Sequence, residues 1–149
     1  MAKFKYELPT ETIKEIEYLY SNCEDIFGKM TKAGAEVAHK NILANMPRGF
    51  QTSEIKNNLK VTTTYRTAYD NGINTKVAFY GYFENEKGEV VPAPLVANAF
   101  EYGTRDRISI KGYRGSITKQ PFLRKSFSKR AIRVAMEQAQ EELSKGILK

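Results

Sequence analysis

After Leu8 and Pro9 the apolar positions recur every three or four residues, as Ile13, Ile16, Leu19 and Tyr20 in the run TETIKEIEYLYSN. That spacing predicts an amphipathic helix with Thr10 at its N-cap. A second stripe of the same period runs from about Glu24 to Asn45 through Phe27, Met30, Ala33, Gly34, Val37, Ala38 and Ile42, and Pro47 with Gly49 ends it. Two helices and one bent helix both fit this pattern, and Gly28, as a poor helix former, speaks against a single clean rod.

Past the polar residues Gln51 to Asn58 the period drops to two. Leu59, Val61, Thr63 and Tyr65 alternate with Lys60, Thr62, Thr64 and Arg66, which predicts a strand with one more apolar face. Asp70, Asn71 and Gly72 form a turn able to supply positive φ. The returning strand is TKVAFYGYF, with Val77, Phe79 and Phe83 on one face and Ala78, Tyr80 and Tyr82 on the other. A second turn, Asn85 to Gly88, leads to a short third strand before Pro92, so a three-stranded antiparallel meander is the economical arrangement. Arg107 to Ile110 alternates again and would make a fourth short strand.

Pro94 suits the first turn of a short helix, LVANAFEY, which Gly103 would close in a left-handed conformation. Pro121 then opens a last helix at its first position. Its apolar stripe is Leu123, Phe127, Ala131, Val134, Ala135, Ala139 and Leu143, and Gly146 stops it. The expected fold class is α+β: a small antiparallel sheet of three or four strands packed with N-terminal helices and a long C-terminal helix. At 149 residues the chain has room for one domain, residues 1–149, and no linker or internal repeat divides it.

Charge sharpens this picture. The net +7 comes from 24 Lys and Arg against 17 Asp and Glu. It is concentrated between Thr104 and Arg133, where ten basic residues stand against Asp106 alone; the rest of the chain sums to −2, and its first twenty-five residues to −3. A bipolar chain of this kind suits an acidic partner, which could be nucleic acid, an anionic surface, or the acidic end of the same or a neighbouring subunit. The last helix also carries Arg124, Lys125, Lys129 and Arg130 toward its N-terminus and Glu137, Glu141 and Glu142 toward its C-terminus, against its own dipole. Those cations are expected to be satisfied from outside the helix. Tyr102, Tyr113 and Phe122 flank them and offer stacking faces, so a basic nucleic-acid-binding module is the alternative reading.

The inventory of reactive groups argues against an enzyme and calls for no cofactor or metal. His39 has no second His or Cys at ligand spacing, and reads as a surface or half-buried helical residue. Cys23 reads as a buried small hydrophobe, unable to form an internal disulfide and suited to a reducing cytoplasm. Acid pairs such as Glu11/Glu15 and Glu137/Glu141 fall at solvated helical spacing, and no nucleotide loop or nucleophile elbow is present. No apolar run reaches the eighteen or so residues of a membrane span, and MAKFKYELP lacks a signal-peptide core, so a soluble intracellular protein without a membrane partner is expected.

Two short motifs in fixed order carry a family resemblance: Val96-Ala97-Asn98-Ala99-Phe100-Glu101-Tyr102-Gly103-Thr104, then, after a basic loop, Gln120-Pro121-Phe122-Leu123-Arg124 leading into the last helix. With the N-terminal helical region and the strand, turn and strand before them, they resemble the small tail-component family of tailed bacteriophages typified by gene product ten of phage HK-ninety-seven. The resemblance covers most of the chain. It implies tail completion or head-to-tail joining during virion assembly, in the host cytoplasm and then in the virion, as a ring of six copies between head connector and tail tube or terminator, with DNA passing through the lumen. Physical reasoning supplies roles for the motif residues: Gly103 for the turn, Pro121 for the helix start, Phe122 and Leu123 as anchors, and Glu101 in a structural salt bridge with a nearby Arg. Arg105, Arg107, Lys111, Arg114, Lys119, Arg124 and Lys125 are the expected partner-binding residues. The turn at Glu86 to Val91 and the loop from Thr104 to Lys119 are longer than the resemblance leads one to expect.

Overall fold

The computed structural model describes residues 9–51, 54–85, 87–110 and 112–145. Its architecture is α+β, with long helices at both ends and small antiparallel ladders between them. The two N-terminal stripes form one unbroken helix, α1 (Thr10–Asn45), 36 residues and about 54 Å long at 1.5 Å per residue. Pro9, not Thr10, is its N-cap, and the Pro9 carbonyl accepts from the Ile13 amide. Gly28, which argued for a break, serves close packing instead, as does Gly34 of the stripe. A Cβ at Gly28 would stand 3.3 Å from the Thr64 methyl, and one at Gly34 would stand 3.0–3.2 Å from Ile132 and Met136. Each absent side chain lets another element approach the helix axis.

The polar connector folds as α2 (Arg48–Gln51) and a 3-10 turn, Glu54–Asn58. Strands β1 (Leu59–Val61) and β4 (Val77–Phe79) pair antiparallel, and farther out β2 (Tyr65–Arg66) pairs with β3 (Ile73–Asn74). Between the two ladders three residues, 62–64, oppose two, 75–76, so a bulge shifts the register by one. The hairpin turns at Asp70–Gly72, where Asn71 takes the positive φ of 53° and the Asp70 carboxylate accepts from the Gly72 amide at 2.9 Å. The expected return strand is interrupted at Gly81, φ +73°, and resumes as β5 (Tyr82–Glu84), which pairs with β6 (Val90–Pro92). With β7 (Ile108–Ser109) and β8 (Gly112–Tyr113) the described strands make four two-stranded ladders in place of one meander. The bulge and the glycine kink are what divide them.

Helix α3 (Ala93–Tyr102) matches its predicted start and stop, with Pro94 in the first turn and Gly103 after the end. The expected single C-terminal helix is two: α4 (Phe122–Ser126) and α5 (Lys129–Lys145). Pro121 lies just outside α4 as its N-cap. The break follows from Ser126, whose carbonyl accepts from the Asn41 side chain at 3.2 Å and whose hydroxyl lies between the Phe122 and Asn41 carbonyls. Ser128 restarts the helix, its hydroxyl and carbonyl taking the Ala131 and Ile132 amides. This rephases the stripe. Ile132, Ala135, Met136, Ala139 and Leu143 are half-buried, while Ala131 and Val134 face solvent. The expected stop at Gly146 lies outside the described residues.

Ile42, Met46, Phe50, Ile55, Leu59, Phe79, Ala93, Ala97 and Phe122 form the core, joining the C-terminal end of α1 to the strands, α3 and α4. Helix α5 returns antiparallel along α1, its Ile132 and Met136 beside Gly34 and its Gln140 and Ser144 beside Leu19 and Phe27. No α1 residue before Gly28 and no residue of α5 is buried. The two helices therefore form an arm that runs beyond the core. Among the described residues, no helix is long and apolar enough to cross a membrane.

Candidate partner-binding surface

The two motifs that flank the basic loop close on each other. Helix α3 ends at Tyr102, and Gly103 follows with φ 76° and ψ 169°, a positive-φ extended conformation open essentially to glycine alone rather than the left-handed helical one expected. A Cβ there would lie 3.1 Å from the Ile117 carbonyl oxygen and 3.1 Å from the Lys119 amide nitrogen. The chain ends of the loop are laced together: the Thr104 amide donates to Ile117 at 2.9 Å, the Ile117 amide to the Thr104 hydroxyl at 2.9 Å, and the Gln120 amide to Phe100 at 2.7 Å.

Glu101 is buried, 3% exposed, and its carboxylate does not engage an arginine side chain as expected. It accepts the backbone amides of Leu123 at 2.8 Å and Arg124 at 3.1 Å, at the N-terminus of α4. A carboxylate there meets amides that have no partner within the helix and the positive end of the peptide dipoles. This contact is the physical link between the first motif and the second. Glu101→Gln keeps the shape but surrenders the charge and turns an amide donor toward a donor. It is expected to cost about 1–3 kcal/mol in urea unfolding; a loss of only a few tenths would remove Glu101 from this role.

Held at its base, the basic loop stands out as the hairpin β7–β8, in which no described residue is buried. Ile108 pairs with Tyr113, and beyond that pair Arg107 faces both Arg114 and Gly115, through Arg114 N–H to Arg107 O at 2.7 Å and Arg107 N–H to Gly115 O at 3.1 Å. Like charges across a ladder are unfavourable by themselves. The Tyr113 hydroxyl donates to the Asp106 carboxylate at 2.8 Å, and this bond, with a smaller contribution from desolvation, pushes the phenol above its ordinary value of 10.0.

The structure thus brings Arg105, Arg107 and Arg114 together on the hairpin, all exposed, and sets Lys119, Arg124 and Lys125 around its base. Lys111, named with them, lies outside the described residues. The Arg124 guanidinium sits 6.0 Å from the centre of the Tyr102 ring. Phe122 is no stacking face: it is 3% exposed, with ring contacts to Phe50 and Phe79. Sequence reasoning passed over Ile108 and Ile110, which are 84% exposed and fully exposed at the hairpin tip. An isoleucine pair two residues apart, set among the arginines of a basic loop, was the available signal.

The acids of α1 found in ion pairs are engaged by Arg66 of β2 (Glu24) and by Lys29 one turn on (Asp25), not by the basic stretch. On α5, Arg133 pairs with Glu137 one turn on. His39 is half-buried and its Nε2–H donates to the Leu59 carbonyl at 3.3 Å, while Cys23 is half-buried between α1 and α5. Among the described residues no three of His, Cys, Asp and Glu gather as metal ligands would. No protein-family model, curated protein sequence or solved structure matches the chain.

Proposed function

We propose that this chain is a structural virion-assembly protein which completes the tail or joins head to tail at the neck of a tailed phage, acting as a ring subunit. One observation carries the reading. The two motifs that suggested it close on each other through Glu101, Gly103 and Gln120, and in doing so hold the basic loop away from the core as a hairpin that spends its residues on exposure. That arrangement suits contact with another macromolecule better than it suits enclosing a small substrate. Head connector and tail tube or terminator proteins are the partners that this role requires, with copies of the chain itself beside them.

Exposed Tyr102 and Tyr113 next to the arginines favour a second reading, in which the hairpin meets DNA in the lumen or as an isolated binding module. Affinity for short duplex or single strands that falls steeply with salt would mark it.

The test of the first reading is complementation. In a lysate whose phage lacks this gene, filled heads and finished tails should accumulate separately, and adding the purified chain should restore infectious particles. No rise above background would overturn the assignment.

A further inference from the structure

The α1–α5 arm leaves a row of apolar side chains without cover. Ile13, Tyr20 and Phe27 recur every seven residues on α1 and are 40%, 83% and 50% exposed. Glu17 and Glu24 fall between them, each four residues after one member of the row and three before the next, so acids and apolar groups adjoin along one edge of the helix. Beside this edge a groove of about 220 Å³ runs between α1 and α5, lined by Leu19, Cys23, Ile26, Phe27 and Met30. The hairpin carries the complementary set: apolar Ile108, Ile110 and Tyr113 at the tip, with Arg105, Arg107 and Arg114 beside them.

Two arms placed face to face would oppose Glu17 and the Arg66-paired Glu24 to their own copies with no cationic patch to meet them, and two hairpins would oppose arginines. Only the pairing of unlike surfaces matches charge with charge and apolar with apolar.

We propose that the basic hairpin of one copy docks on the acidic, apolar edge of the α1–α5 arm of the next, with Ile108 and Ile110 entering the groove beside Phe27. The contact is heterologous, and so propagates around a ring when the rotation closes. It deepens the ring-subunit reading above and rests on it for its biological setting, though not for its test.

Two variants separate the surfaces: Glu17→Lys with Glu24→Lys on the arm, and Arg105→Glu with Arg107→Glu and Arg114→Glu on the hairpin. The Glu24–Arg66 pair is exposed and contributes little to stability, and melting curves verify both folds. Sedimentation velocity at low salt, at roughly 100 μM and above, should show the wild-type chain self-associating and dissociating as salt rises. Each variant alone should associate at least ~10-fold more weakly, and an equimolar mixture should recover, since a reversed arm then meets a reversed hairpin. Tyr20→Ser, at a position too exposed to support the fold, should weaken association as well. A wild-type chain that stays monomeric, a variant that associates like wild type, or a mixture no better than its components would each overturn the proposal. Complementation by a chain that stays monomeric would leave the neck assignment standing without this interface; a recovering mixture with failed complementation would do the reverse.

Discussion

Phe50→Ala is expected to remove about 3–5 kcal/mol of folding stability and to lower the melting temperature by roughly 10 °C. Phe50 is 4% exposed, and its ring centre stands 4.6 Å from that of Phe100, 5.7 Å from Phe122 and 6.5 Å from Phe79. Those three residues belong to α3, α4 and β4, so one side chain from the connector after α1 ties together elements far apart in sequence. Phe79 and Phe122 also meet at 6.2 Å, edge to face, which closes the cluster. Truncation at Phe50 removes contacts on three sides and leaves a cavity that no neighbour can fill without abandoning another ring. Urea unfolding with an unchanged slope is the measurement. A loss below about 1 kcal/mol would mean that the ring cluster is not what holds the core.

Phe50 also shows why part of this fold was hidden in the sequence. It stands in PRGFQTSE, where polar neighbours give it no periodic company, so nothing local marks it as central. Element types were legible wherever periodicity ran long: the helical stripe of α1, the alternation around Leu59 to Tyr65, and the Pro94 to Gly103 frame of α3. What escaped depended on distant partners. Gly28 read as a helix breaker until Thr64 is seen against it, and Gly34 read only as a small member of the stripe until Ile132 and Met136 are seen against it. The break at Phe127 has its cause in Asn41, 85 residues before Ser126. Glu101 was singled out, but its acceptors' partners, the amides of α4, carry no side-chain signature and could not be guessed from charge.

The candidate surface was legible in its cations and not in its shape. The order of charges along the chain located the basic stretch, because charge needs no partner to be recognised. That the stretch stands out as a hairpin follows from Gly103 and the bonds of Thr104 with Ile117, which are tertiary facts. The apolar tip at Ile108 and Ile110 gained its meaning only when those residues proved to face solvent.

Reversing Arg105, Arg107 and Arg114 to Glu together is expected to abolish joining of filled heads to tails while leaving the fold intact. The fold should tolerate it because all three are exposed, where substitutions commonly change stability by no more than about 0.5 kcal/mol each. The facing positions 107 and 114 exchange one like-charge pair for another, while Asp106 passes from basic to acidic neighbours, a cost that the melting temperature reads. The interface has no such symmetry. Each reversal deletes an attraction to an acidic face and adds a repulsion, and three of them total about 3 kcal/mol, or roughly 100-fold in affinity at one contact. In a ring the loss recurs at each junction, so assembly should fall much further than a single contact does. Infectious yield in the complementation extract is the readout, with melting temperature as the control. Unchanged yield would remove the hairpin from the joining surface. A yield restored by adding the Glu17→Lys, Glu24→Lys chain in equal amount would locate the effect between copies rather than between the chain and DNA, because a reversed arm can compensate a reversed hairpin and a phosphate backbone cannot.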